Sequence, residues 1–164
     1  MLHTTPPKVQ LREVGPRDGL QIEPTFLPTE TKKIFIRKLA EAGLPHIEIT
    51  SFVHPKWIPA LADGKEIGKT FADMGGTETS ALVPNMKGFE GAREAGMKIV
   101  TVFMSVTEGH NKANLNRTRE QSLAEFAELI PTMKQAGMKV NASLSVVCGC
   151  PFEGEVDTNR IVEI

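Results

Sequence analysis

The 164-residue chain is 40% hydrophobic and 24% charged, an ordinary globular balance with enough length for one sizeable core. A net charge of -1 lacks the basic excess that a nucleic-acid or membrane-surface partner requires, and no apolar run is long enough to span a bilayer. The opening MLHTTPPKVQ has no apolar signal region, and Cys148 and Cys150 stand too close together for a framework disulfide, so a reducing, cytoplasmic setting is expected.

In chain order, residues 9–14 read as a first strand that runs into GPRDGLQ. A helix follows, with Thr29 as its cap and Ile34, Phe35 and Leu39 on one face. It ends in EAGLPHIEIT, where Gly43 is a helix C-cap and residues 46–50 are the second strand. FADMGGTETSALV repeats the pattern loosely, with the cap at Gly75 or Gly76 and a strand at 79–83. EAGMKIVTVF repeats it closely, with Gly96 and a strand at 98–104. The next helix places Leu123, Phe126, Ile130 and Met133 on one face, and Pro131 should bend or shorten it, since it removes a backbone donor. QAGMKVNASL, with Gly137 and a strand at 139–147, is the last copy, and a further helix is expected from Glu155.

Helix, glycine, strand in repeated succession predicts a parallel sheet covered by helices. Two α/β architectures satisfy it: a (β/α) barrel of TIM type and an open doubly wound sheet. The fingerprint G-x-G-x-x-G of a dinucleotide binder is missing after the first strand. An eight-unit barrel takes roughly 250 residues. Residues 1–164 supply about five βα units, so a partial (β/α) barrel of TIM type, a fragment of a longer protein, is the favoured expectation, with completion by association and an open sheet as the alternatives. Such a piece leaves two strand edges open, an aggregation hazard unless association completes the barrel.

Arg17 and Asp18 follow the first strand at its C-terminal end, where parallel α/β sheets bind ligands. A carboxylate there can hold a divalent cation, and a guanidinium can stabilise a neighbouring oxyanion. An exposed ion pair in a surface turn would look the same at this level. Glu48 alternates with Ile47 and Ile49, so its side chain faces the other side of the strand. Inside a barrel it would point towards Arg17 and could orient it; at an edge it would face water.

EVGPRDGLQ at 13–21, followed by IEITSFVHPKW at 47–57, resembles the hydroxymethylglutaryl-CoA lyase family, within the metal-dependent lyases and Claisen-type synthases built on a TIM barrel. The similarity continues in LVPN at 82–85, between Phe103 and Asn116, and in CGCPFEG at 148–154. It implies cleavage of 3-hydroxy-3-methylglutaryl-CoA to acetoacetate and acetyl-CoA. On that basis Asp18 would be a ligand of Mg2+ or Mn2+, Arg17 would stabilise the acetyl-CoA enolate and Glu48 would support Arg17. Gln21 would lie near the acyl group, with Thr107 and Glu108 as small polar groups beside the substrate. The partner is an acyl-CoA, and the full-length protein is expected to be a homo-oligomer.

The resemblance also implies parts that do not occur in this sequence. The family's other metal ligands are a His-x-His pair and an Asn from later strands, yet His3, His46, His54 and His110 are isolated. GCPF at 149–152 places Cys150 at the end of the fifth strand as a structural or substrate-side thiol, while the family's catalytic cysteine lies in a later glycine-rich loop. A zinc site at C-G-C would need further ligands. Ile22 stands where the family more often has Asn. The isolated chain is thus expected to bind metal weakly and to be inactive. The alternatives are a related aldolase or 2-oxo acid synthase, and a non-catalytic barrel fragment.

Overall fold

A computed structural model describes residues 8–164. His3 and the start of the opening segment lie outside the described residues. Five strands, β1 (Arg12–Glu13), β2 (His46–Ser51), β3 (Glu78–Leu82), β4 (Ile99–Ser105) and β5 (Lys139–Ser145), form one sheet. All four pairings are parallel and the spatial order is the chain order. The helices are α1 (Thr29–Glu41), α2 (Gly64–Phe71), α3 (Met86–Glu94), α4 (Glu108–Leu115), α5 (Arg119–Gln135) and α6 (Thr158–Val162). A doubly wound sheet reverses its strand order at a switch point; the strictly sequential order here is that of a barrel. The chain is a (β/α) half-barrel, and the open-sheet alternative is set aside.

Strand alternation separates two faces. Ile47, Ile49, Ala81, Val83, Val100 and Val102 face outward and pack against Ile36, Ile67, Phe71, Phe89, Leu129 and Met133 from the helices. The opposite face carries Glu48, Thr101, Phe103, Asn141 and Ser143, which line a groove. This division gathers the polar side chains that line the groove on the concave side. The helix ends expected from the repeat are present: Gly43, Gly96 and Gly137 take φ of 83°, 79° and 80°, a region that costs a side chain energy and glycine none. Gly64 is required for a different reason. A Cβ there would stand 2.6 Å from the Ser51 carbonyl, so only glycine lets α2 start this close to β2.

Several expected boundaries and faces move. The strand expected at 9–14 contracts to Arg12–Glu13, the two residues that pair with His46 and Ile47 of β2, and Val9 and Leu11 stay exposed. β5 stops at Ser145, since Val146 takes a left-handed φ of 59° that ends the ladder. α6 starts at Thr158, where the Asp157 side chain accepts the Asn159 N–H, and not at Glu155. Thr29 is the first residue of α1 and not its cap; Pro28 occupies the cap position. The buried face of α1 is Lys32 and Ile36, with Leu39 and Ala40 partly buried, while Ile34 and Phe35 point outward. On α5 the buried positions are Ser122, Leu129 and Met133, and Leu123 is exposed. α5 is not shortened at Pro131 but runs through it for 17 residues, started by a capping box between Thr118 and Gln121. No described helix is long and apolar enough to cross a membrane.

Candidate active site

The chain leaves β1 in a single π-helical turn, Gly15–Gly19, in which the Arg17 and Asp18 amides both donate to the Val14 carbonyl, at 3.0 and 2.7 Å. Pro16 is buried at its start, where a missing N–H costs nothing. π-turns are rare and concentrate at functional sites. This one fixes the direction of Arg17. The Arg17 Nε donates to Glu48 Oε1 at 2.6 Å, and a terminal nitrogen donates to Asp18 Oδ1 at 2.5 Å. Glu48 is 3% exposed, whereas the Asp18 side chain is 58% exposed. A carboxylate buried this deeply needs an opposite charge, and Arg17 is the partner it has. A guanidinium carries five N–H donors. Two are spent on Glu48 and Asp18, so three remain for a ligand.

The pair stands in the wall of a groove of about 840 Å³ at the C-terminal ends of the strands. Gln21, Trp57, Asn85, Phe103, Arg117 and Ser143 contribute to the same wall. Thr101 and Asn141, register partners on β4 and β5, bring a hydroxyl and an amide nitrogen that have no protein partner. The groove therefore combines apolar surface with unspent donors, the composition of a small-molecule site.

The other sequence-derived candidates sit elsewhere. Thr107, expected beside the substrate, is fully buried, does not line the groove, and gives its hydroxyl to Cys150 Sγ at 3.0 Å. Glu108 accepts the Arg119 amide at 2.9 Å and pairs with Lys112, so it joins α4 to α5; the Arg119 N–H holds its carboxyl below the usual range. Cys150 does not end the fifth strand but lies in the loop beyond it, closed by reciprocal backbone bonds with Gly154 at 2.7 and 2.8 Å. Burial pushes its thiol pKa up, but the Thr107 hydroxyl and the Phe152 and Glu153 amides outweigh that and hold it below the ordinary thiol value. His54 lines the groove, His46 bonds to Ser80 at 2.8 Å, and His110 bonds to Ser105 at 2.7 Å.

Among the described residues no three His, Cys, Asp or Glu side chains converge as a metal site. Asp18 offers a single hard oxygen donor set, with one oxygen already engaged by Arg17. One carboxylate is only part of the roughly six oxygen ligands that such a divalent cation takes. Two contributors had no signal in the sequence. Arg117 reaches the groove from the connection after α4. That connection is held by Asn111, which is fully buried and bonds to Ser105, Arg117, Thr118 and Ser122.

Residues 8–164 match a family model described as HMGL-like. The chain is 44% identical over 159 residues to hydroxymethylglutaryl-CoA lyase of Bacillus subtilis (strain 168), covering 97% of this chain and 53% of that protein. It is 42% identical over 161 residues to the mitochondrial hydroxymethylglutaryl-CoA lyase of Bos taurus, covering 98% of this chain and 50% of the relative. The solved structure of the Bacillus subtilis HMG-CoA lyase superposes with a TM-score of 0.92 at 44% identity, over 96% of this chain and 53% of that one. An HMG-CoA lyase from Acinetobacter baumannii, solved with coenzyme A and 3-methylmalate, gives a TM-score of 0.88 at 38% identity, over 94% of this chain and 50% of that one. The chain spans about half the length of the curated relatives it matches.

Proposed function

Because the chain belongs to the HMGL-like family, we propose that it forms the first five βα units of a single (β/α)8 lyase domain and carries the enolate-binding part of its site. The reaction is the divalent-metal-dependent cleavage of 3-hydroxy-3-methylglutaryl-CoA to acetoacetate and acetyl-CoA. The observation that carries this reading is the Arg17–Glu48 pair, seated where β1 and β2 open into the groove.

When the C–C bond breaks, its electron pair moves onto the carbon beside the thioester, and negative charge appears on the thioester oxygen. Arg17 has three N–H groups left for that oxygen and is charged at every working pH. Glu48 fixes the guanidinium before charge develops, so little reorganisation is needed in the transition state. Gln21, half-buried on the same wall, contacts the acyl group. Asp18 would offer one carboxylate to a divalent cation, Mg2+ or Mn2+, whose ligand set is incomplete among the described residues. When bound, such a cation would supply Lewis acidity to the substrate's hydroxyl. An acyl-CoA occupant agrees with the coenzyme A named for the Acinetobacter baumannii structure. Two free cysteines suit the cytoplasm. The complete protein is read as a homo-oligomer.

A chimera tests the reading. This chain is joined to the second half of the Bacillus subtilis lyase, its fold is checked by circular dichroism, and acetoacetate is measured with and without added Mg2+. The chimera should cleave the thioester only with metal, and the 164-residue chain alone should not. A folded chimera without cleavage would reject the assignment.

A further inference from the structure

Lys32 is 3% exposed on α1, although lysine is almost never buried this far unless it is paired. Its Nζ donates to both carboxylate oxygens of Asp63, at 2.8 and 2.9 Å, and to the Ala60 carbonyl at 2.6 Å. It also stands 4.2 Å from the centre of the Phe26 ring, within cation–π range. An ammonium has three donors, and all are committed to the chain between β2 and α2. Phe26, in turn, belongs to the segment that leads into α1.

These two segments face each other across a recess lined by Gln21, Phe26, Trp57, Ile58 and Ala60. Gln21, Trp57 and Ile58 also line the main groove, so the recess and groove share a wall. That wall is poorly supported by its own packing. Trp57 is 72% exposed, and residues 52–58 contain no helix or strand. Phe52 packs on the core at the start of this stretch, and just beyond its end the buried anchors are Leu61 and the Lys32 ammonium, which holds Ala60 and Asp63.

We propose that Lys32 is a positioning residue for acyl-CoA binding: its buried ammonium fixes the β2–α2 connection, and so sets Trp57 and Ile58 as a wall of the groove. This rests on the reading of the groove as an acyl-CoA site. A plain structural tie between α1 and α2 would stabilise the fold without affecting the wall, and the two roles can be separated.

Trp57 is the sole tryptophan, so its fluorescence reports on the wall alone. The full chain and the variants Lys32→Met, Lys32→Arg and the double variant Lys32→Met with Asp63→Leu are compared by thermal melting, by Trp57 anisotropy without ligand, and by titration with 3-hydroxy-3-methylglutaryl-CoA. The double variant leaves no unpaired buried charge and should melt near the wild type. It should still show lower Trp57 anisotropy and roughly tenfold weaker binding, because a preorganised wall has been loosened. Lys32→Arg, which keeps a cation and its donors, should restore part of both signals. If Lys32→Met does not fold, the double variant decides. Wild-type anisotropy and affinity in the double variant would overturn the proposal. A folded chimera with the second half of the Bacillus subtilis lyase that fails to bind the thioester would reject the acyl-CoA reading, and unchanged ligand-free anisotropy in the double variant would separately reject the role of Lys32.

Discussion

Removing the two halves of the Arg17–Glu48 pair should have unequal consequences. Glu48 is 3% exposed and accepts its side-chain hydrogen bond from Arg17. In Arg17→Met the carboxylate is stranded, a change that costs about 3–5 kcal/mol in comparable buried pairs. Glu48→Gln keeps an acceptor for Nε and leaves Arg17 partly solvated and beside Asp18, so only charge assistance is lost, about 1–2 kcal/mol. The double change Arg17→Met with Glu48→Leu removes both charges and should return to within about 1 kcal/mol of the wild type. Urea unfolding followed by circular dichroism measures all three. Equal penalties for the two single variants, or a double variant no more stable than Arg17→Met, would refute the reasoning.

Asp18 alone should hold a divalent ion poorly. About 10 mM Mn2+ should stabilise the isolated chain by less than roughly 0.5 kcal/mol, and Asp18→Asn should not change that in a thermal-shift assay. His46 has its pKa lowered, first by burial and then by the Arg12 charge, so the folded state prefers it neutral. Stability should therefore be fully present above the ordinary histidine value of 6.5 and fall as pH drops through it towards the lower folded value, a slope that His46→Gln should flatten in denaturant titrations. Cys148 is exposed and Cys150 buried, so a thiol reagent should label one cysteine quickly in the native chain and both in urea; two fast thiols would contradict the closed loop after β5.

The fold was legible because one local device recurs. Ala-Gly helix ends before β-branched runs mark Gly43, Gly96 and Gly137, and each takes the left-handed conformation expected of it. Helix faces were less legible. On α1 the apolar Ile34 and Phe35 suggest one face, but Lys32 is buried through Asp63 and turns the helix so that Ile36 enters the core. Periodicity counts apolar residues and is blind to a buried ammonium with a distant partner. The site divides the same way. The Arg17–Glu48 contact follows from strand alternation and a shared sheet end. Thr107 follows a strand end as the groove residues do, and only tertiary structure shows that it bonds to Cys150 in the loop after β5 and lies away from the groove. Trp57 and Arg117 reach the groove from irregular connections whose course no local pattern encodes.

The most direct test of the central claim, that Arg17 holds the charge formed in carbon–carbon cleavage, is the kcat of the chimera with Arg17→Lys. Lysine keeps the positive charge but not the planar fork that Glu48 orients. If the guanidinium acts in the transition state, kcat should fall by about 10²–10³-fold, while KM stays within about threefold. A chimera that folds and keeps its kcat with lysine at this position would contradict the account.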